Sequence, residues 1–83
     1  MITKKQVNYL VWLIEGNLPD LFSKIPKNNN RYPNVKADYR RHILADQLDK
    51  LNHRDAQTLI ALVQDKKEEA VAQFIWGLTL PNF

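Results

Sequence analysis

The sequence predicts an all-α fold, a small compact bundle of four to five helices with one longer basic connector. Three observations lead to this prediction. Apolar residues recur at spacings of three and four along most of the chain, which is the period of an amphipathic helix. Clusters of Asn, Pro and Gly separate these stretches, and no stretch shows the strict alternation of a strand. At 83 residues the chain is expected to form one domain, 1–83, with an extended tail at 79–83.

The first helix is expected to begin after Thr3. Thr3 and Gln6 have the spacing of a capping box, and Ile2 and Val7 that of a hydrophobic staple. Gly16 is expected to end the helix, because glycine takes the left-handed C′ conformation without strain. The apolar stripe of this helix consists of Val7, Leu10, Val11 and Ile14.

Two aromatic residues of this helix lie outside its apolar stripe. On a helical wheel Tyr9 and Trp12 fall on the opposite side. Either the other helices wrap the first helix completely, or these rings form an exposed patch. An exposed patch of this kind would bind another protein chain, which could be a second copy.

A short second helix is predicted at about 18–24. Asn17 is a candidate N-cap, and Pro19 fits the first turn, where its missing N–H has no cost. Asp20 complements the helix dipole, and Pro26 prevents the helix from continuing.

The longer connector is predicted at 26–34, and a third helix is predicted from an Asn34 cap to about Leu51. Four side chains would then lie along one face of that helix, namely Asp38, His42, Asp46 and Asp49. A His and a carboxylate one turn apart can share a metal ion. We prefer the alternative of a solvated face with ordinary charge pairs, and so predict no metal and no cofactor.

The fourth helix is predicted to begin after an Asn52 cap. The segment Asp65–Glu68 resembles a capping box and predicts a fifth helix at about 66–76. One continuous helix over 53–76 is the alternative, since no Gly or Pro interrupts it. Gly77 is expected to end the last helix.

The composition argues against several classes of function. The chain has no Cys, a single Ser and two Gly at predicted helix ends, so it lacks an activated nucleophile and a phosphate-binding loop. We therefore predict that it is not an enzyme. No apolar run approaches the ~20 residues that cross a bilayer. The expected location is the cytoplasm, without membrane contact.

Positive charge is concentrated in the basic segment Lys24–Arg41, which has six basic residues and one acid. Such a segment could bind phosphates while Tyr32 and Tyr39 stack on bases. Direct nucleic-acid binding is therefore the alternative function. Its candidate residues are Lys24, Lys27, Arg31, Tyr32, Lys36, Arg40 and Arg41.

The preferred hypothesis is a small regulator or inhibitor that binds another protein. The target could be a DNA-acting or RNA-acting protein, such as a transcriptional repressor, and a homo-oligomer is also possible. Trp and Tyr dominate the binding energy of protein interfaces, whereas charges guide association. The candidate anchors are Tyr9, Trp12 and Trp76. The candidate charged and polar contacts are Lys36, Tyr39, Arg40 and Arg41.

Overall fold

The computed structural model describes residues 2–77 and confirms the all-α fold. Its five helices form a compact globule, and no strand occurs within these residues. The helices are α1 (Lys4–Asn17), α2 (Pro19–Ser23), α3 (Arg40–Leu48), α4 (His53–Gln64) and α5 (Glu68–Trp76). The predicted tail at 79–83 lies outside the described residues.

The predicted start of α1 is confirmed. The hydroxyl of Thr3 accepts a hydrogen bond from the Gln6 amide at 3.2 Å, and the Thr3 amide donates to the Gln6 side chain at 3.0 Å. Ile2 and Val7, the two members of the predicted staple, are both buried. The capping box therefore closes this end of the helix as predicted, and both residues of the predicted staple lie in the core.

The predicted stop at Gly16 is wrong, because α1 continues through it to Asn17. The end of the helix is closed differently. The Leu18 amide donates to the Ile14 carbonyl, and the Asn17 side chain donates to the Leu13 carbonyl, both at 2.8 Å. Asn17 therefore does not cap α2, which begins after Leu18 without a side-chain cap. The helix thus ends without a glycine in the left-handed conformation.

The third helix begins at Arg40, six residues after the predicted Asn34 cap. The connector between α2 and α3 is therefore 24–39, a segment of sixteen residues. Asn34 instead accepts a hydrogen bond from the Lys36 amide at 3.0 Å. This local turn competes with helix initiation. It also places Asp38 before α3, so the predicted face of four metal-type ligands on one helix does not form.

The junction between α4 and α5 excludes a continuous helix. The Asn52 side chain caps α4 as predicted, accepting from the Asp55 amide at 2.8 Å. At the other end Lys66 has φ 56°, a left-handed conformation that ends α4. Asp65 thus belongs to the end of α4 and does not cap α5. Gly77, at φ 97°, ends α5 as predicted.

The core is organised around α1, which packs against α2, α3 and α4, while α5 covers α4 and α3. The largest fully buried side chains are Leu10, Ile14, Leu21, Leu44, Leu48, Leu59, Val63 and Val71. Among the described residues no polar or charged side chain is buried. Within residues 2–77 no helix combines the length and apolarity needed to cross a membrane.

Candidate protein-binding surface

Two aromatic side chains of α1 are exposed on the side opposite its buried stripe. Trp12 is 67% exposed and Tyr9 is 45% exposed, and their ring centroids lie 6.1 Å apart. No neighbouring helix covers them within the described chain. The other helices therefore do not wrap α1 completely, and that alternative is wrong for these two rings. They do cover Leu13, which is 7% exposed.

Tyr9 and Trp12 belong to a narrow row of exposed residues along α1. Lys5, Tyr9, Trp12 and Gly16 are separated by four, three and four positions and are all exposed. At 100° per residue they fall within about one sixth of the helix circumference. We call this row the aromatic stripe. It extends along most of α1 and offers a flat contact face to a second chain.

A groove lies beside the aromatic stripe, between α1 and α3. Its first part has a volume of about 440 Å³ and is bounded by Trp12. The other residues lining this part are Asn8, Val11, Glu15, Arg41, His42 and Ala45. A second part of about 400 Å³ shares Asn8, His42 and Ala45 and extends to Lys4 and Asp49. Since Glu15 meets Arg41 and Lys4 lies on the same groove as Asp49, the two helices run antiparallel.

The arginines at the start of α3 are held by carboxylates of the same chain. Arg41 forms a bidentate ion pair with Glu15, with the shortest distance at 2.7 Å. Arg40 binds Asp38 at 2.7 Å and lies over the Phe22 ring, 5.3 Å from its centroid. The hydrogen bonds from Arg40 lower the pKa of Asp38 to about 2. Carboxylates thus orient both guanidinium groups, that of Arg41 at one end of the groove and that of Arg40 in an adjoining recess.

The connector is ordered by its own side chains. The side-chain amide of Asn28 donates hydrogen bonds to the backbone carbonyls of Asn34 and Ala37, the latter at 2.8 Å. The Tyr39 amide donates to the Lys27 carbonyl at 2.7 Å, which brings the two ends of this loop together. These bonds satisfy backbone groups that a helix would otherwise satisfy, so they explain why the segment is not helical.

Tyr32 and Tyr39 stack on each other with centroids 5.1 Å apart, and His42 contacts both rings. The Tyr32 hydroxyl donates to Asp46 at 2.9 Å, and this hydrogen bond raises the pKa of Tyr32. Arg31 lies against the Tyr32 ring at 5.8 Å. One face of each tyrosine ring is therefore occupied within the chain, which leaves less ring surface for stacking on bases.

The basic segment is partly neutralised by acids of the same chain, three of which lie outside the segment. Four of its six basic residues form ion pairs in the described part of the chain. The pairs are Lys24–Glu68, Arg31–Asp46, Arg40–Asp38 and Arg41–Glu15. Phosphates would have to compete with these carboxylates. Lys27 and Lys36 are exposed and form no such pair within residues 2–77.

The predicted protein-binding residues are only partly brought together. Trp12 and Arg41 line the groove, and Arg40 lies in an adjoining recess with Arg41. Tyr9 lies beside Trp12 and does not line the groove. Tyr39 reaches this area through its contact with His42. Trp76 is half-buried, packs against the core and is not a lining residue of either part of the groove. Lys36 is exposed on the connector.

Two features of the surface could not be found from helical periodicity. Val35 is 82% exposed on the connector, although the sequence placed it on a helix. Gly16 lies inside α1 and not beyond its end. Only the density of Asn and Pro around Val35 indicates in the sequence that this residue lies in a turn and not in a helix. Within residues 2–77 no three His, Asp or Glu side chains are grouped as metal ligands would be.

Comparison with known proteins gives no functional assignment. No protein-family model matches the chain, and no curated protein or solved structure matches it significantly. The exposed aromatic side chains and the charges around them are therefore the features that bear on function.

Proposed function

We propose that this protein is a small non-enzymatic regulator or inhibitor that acts by binding another protein chain. The observation that carries the proposal is the exposure of Trp12, two thirds of whose surface faces solvent beside Tyr9. Tryptophan and tyrosine bury large areas at low entropic cost, which is why they dominate interface hot spots. Here they are presented on a four-turn helix that the core holds rigid.

The groove beside Trp12 supports the proposal because it offers a concave seat next to the exposed ring. Its wall combines apolar side chains, Val11 and Ala45, with the polar groups Asn8 and His42. Arg41 and Glu15 close one end as a fixed charge pair. An apolar centre with a polar edge is the usual anatomy of a protein interface. Arg40 and Arg41 would then contribute more to the orientation of an approaching chain than to the affinity of the complex.

We also propose a class of target and a location for the protein. Size and a net charge of +3 support a cytoplasmic regulator of a DNA-acting or RNA-acting protein, such as a transcriptional repressor. The charged contacts available for such a target are Lys36, Arg40 and Arg41. Trp76 has a weaker claim as an anchor than Trp12, since it already packs against the core.

The test is affinity capture of partners from a nuclease-treated lysate of the cells that express the protein. We expect a protein to be retained by the wild type and lost with Trp12→Ala, while the far-ultraviolet circular dichroism spectrum is unchanged. Gln57→Ala, at an exposed position of α4, is the matched control and should retain the partner. Equal capture by Trp12→Ala and wild type would show that this surface is not the binding site.

Direct nucleic-acid binding is the competing proposal, and the exposed Lys27 and Lys36 are the observation in its favour. Titration of labelled duplex and single strands distinguishes the two. Phosphate-driven binding weakens steeply as salt rises. Binding at low salt that is reduced by Lys27→Ala and Lys36→Ala but not by Trp12→Ala would replace the proposed function. No binding at low salt would remove the alternative.

A further inference from the structure

The aromatic stripe contains a glycine that the single chain does not require. Gly16 lies within α1 and does not have a positive φ. A Cβ added there would meet no atom within 4 Å outside its own helix and its chain neighbours. Glycine within a helix costs stability relative to alanine. Because it lies on the same face as Tyr9 and Trp12, Gly16 is explained by a second chain that approaches this face closely.

The charges of α1 are reversed relative to its own dipole. Its first turn carries Lys4 and Lys5 and no acid, and its last turn carries no base. Cations are unfavourable at a helix N-terminus and favourable at a C-terminus. A second helix running antiparallel would place its C-terminal carbonyls beside these lysines. The charge pattern of α1 is therefore complementary to that of another α1 in antiparallel orientation.

We propose that the chain bound at the aromatic stripe is a second copy of this protein, paired antiparallel about a two-fold axis. With the axis midway between Tyr9 and Trp12, Tyr9 of each copy faces Trp12 of the other. The same symmetry sets Lys5 of each copy against Gly16 of the other, near Glu15. The missing side chain at Gly16 leaves room for the Lys5 stem, and its ammonium group reaches the C-terminal end of the helix. Such an interface is isologous, as in most homodimers.

The expected dimer is weak. A helix of fourteen residues is about 21 Å long, and one face of it buries less than the ~800 Å² per partner of a standard interface. We therefore expect a dissociation constant on the order of 100 µM. The mass by sedimentation equilibrium should rise from 9.7 kDa toward twice that value between about 10 µM and about 1 mM. A mass that stays at 9.7 kDa throughout this range would overturn the inference.

Two variants test the geometry because their effects on the single chain and on the dimer have opposite signs. Lys5→Glu supplies the acid that the first turn of α1 lacks, so it should raise the melting temperature of dilute protein. Gly16→Leu should do the same through helix propensity. Both should weaken association about tenfold or more. A glutamate at position 5 would be repelled by the C-terminal end of the partner helix, and a leucine at position 16 would fill the space that the Lys5 stem needs. Arg54→Glu, the same charge change in the first turn of α4, should leave association unchanged.

This inference depends on the proposed function, because both use the surface around Trp12. The two can fail separately. A wild-type monomer that still captures a different protein through Trp12 would overturn the homodimer and keep the function. Association unaffected by Lys5→Glu and Gly16→Leu would overturn the antiparallel pairing. A monomer at every concentration together with Trp12-independent capture would overturn both.

Discussion

The guanidinium group of Arg41 binds both carboxylate oxygens of Glu15, with the closest approach at 2.7 Å. This contact joins the first turn of α3 to the last turn of α1 across 26 positions of sequence. It also sets one end of the groove beside Trp12. The pair therefore belongs both to the fold and to the surface that we propose for binding.

Arg41→Ala should lower the free energy of unfolding by about 0.5–1 kcal/mol at low ionic strength. The effect is small because the Arg41 side chain is 71% exposed and the Glu15 side chain is 30% exposed. Urea unfolding at low salt and at about 1 M salt measures it, and the difference should shrink at high salt. Lys36→Ala is the matched control, with little effect at either salt, because Lys36 is exposed outside the helices and forms no ion pair within residues 2–77. A salt-independent loss would instead indicate that the arginine acts by packing.

Replacing the two tryptophans should have unequal effects on stability. Trp12→Ala should change the free energy of unfolding by no more than about 0.5 kcal/mol, since the ring is mainly exposed. Trp76→Ala should cost about 2–3 kcal/mol, because its ring packs against the core at the end of α5. Chemical denaturation followed by circular dichroism measures both. Comparable losses for the two variants would contradict the exposure of Trp12.

The pairing of Asp38 with Arg40 should make the free energy of unfolding depend on pH in the acidic range. The pKa of Asp38 is about 2 in the folded chain, below its usual value of 3.8, because Arg40 donates to its carboxylate. The stabilisation is present above pH 3.8 and is lost as the pH falls to about 2. Asp38→Asn should therefore be less stable than the wild type near neutral pH, and equal to it near pH 2. We expect less than about 1 kcal/mol, because the Asp38 side chain is 48% exposed.

The matched experiment for this pair is a double-mutant cycle with Arg40→Gln, measured by urea unfolding across the same pH range. If the ion pair causes most of the acid dependence, Asp38→Asn should have a smaller effect at neutral pH once Arg40 has been replaced, because only the backbone amide of residue 40 and Lys27 then stabilise the carboxylate. Additive effects of the two substitutions would show that the stabilisation has another source.

Lys66→Gly should raise the free energy of unfolding by about 0.5–1 kcal/mol. Lys66 holds φ 56°, and its amide bonds the Val63 carbonyl while the Lys67 amide bonds the Leu62 carbonyl. This is the Schellman pattern, in which glycine avoids the strain of a side chain. Lys67→Gly is the control, because φ there is −86° and no strain is relieved. Thermal unfolding should show a gain for the first variant and none for the second.

The elements that were predicted well are those closed by local contacts. The Thr3 capping box, the Asn52 cap and the Gly77 stop each depend on residues within four positions, so the sequence alone contains the information. The start of α3 could not be found in this way. Asn34 resembles a cap, but Asn28 binds its carbonyl and Tyr39 is held by Lys27. These contacts join positions six to twelve apart.

The candidate site shows the same division between local pattern and tertiary contact. The helical wheel placed Tyr9 and Trp12 outside the apolar stripe of α1, and the fold leaves both exposed. The same criterion failed to separate them from Trp76, which packs against the core. The ion pairs of Arg40 and Arg41 were not predicted. The Arg41 partner, Glu15, lies on another helix, and Asp38 had been assigned to the α3 helix itself.

The central position of α1 has a consequence for synthesis of the chain. Helix α1 is translated before α3 and α4, which cover its buried side, and α4 ends only at Gln64. The Ile2 amide also cannot form its hydrogen bond to the Leu51 carbonyl, at 3.1 Å, until Leu51 has been synthesised. At about 5–20 residues per second, the apolar side of α1 stays uncovered for about 2–10 s on the ribosome. We expect that side of the nascent helix to be open to chaperone binding in that interval.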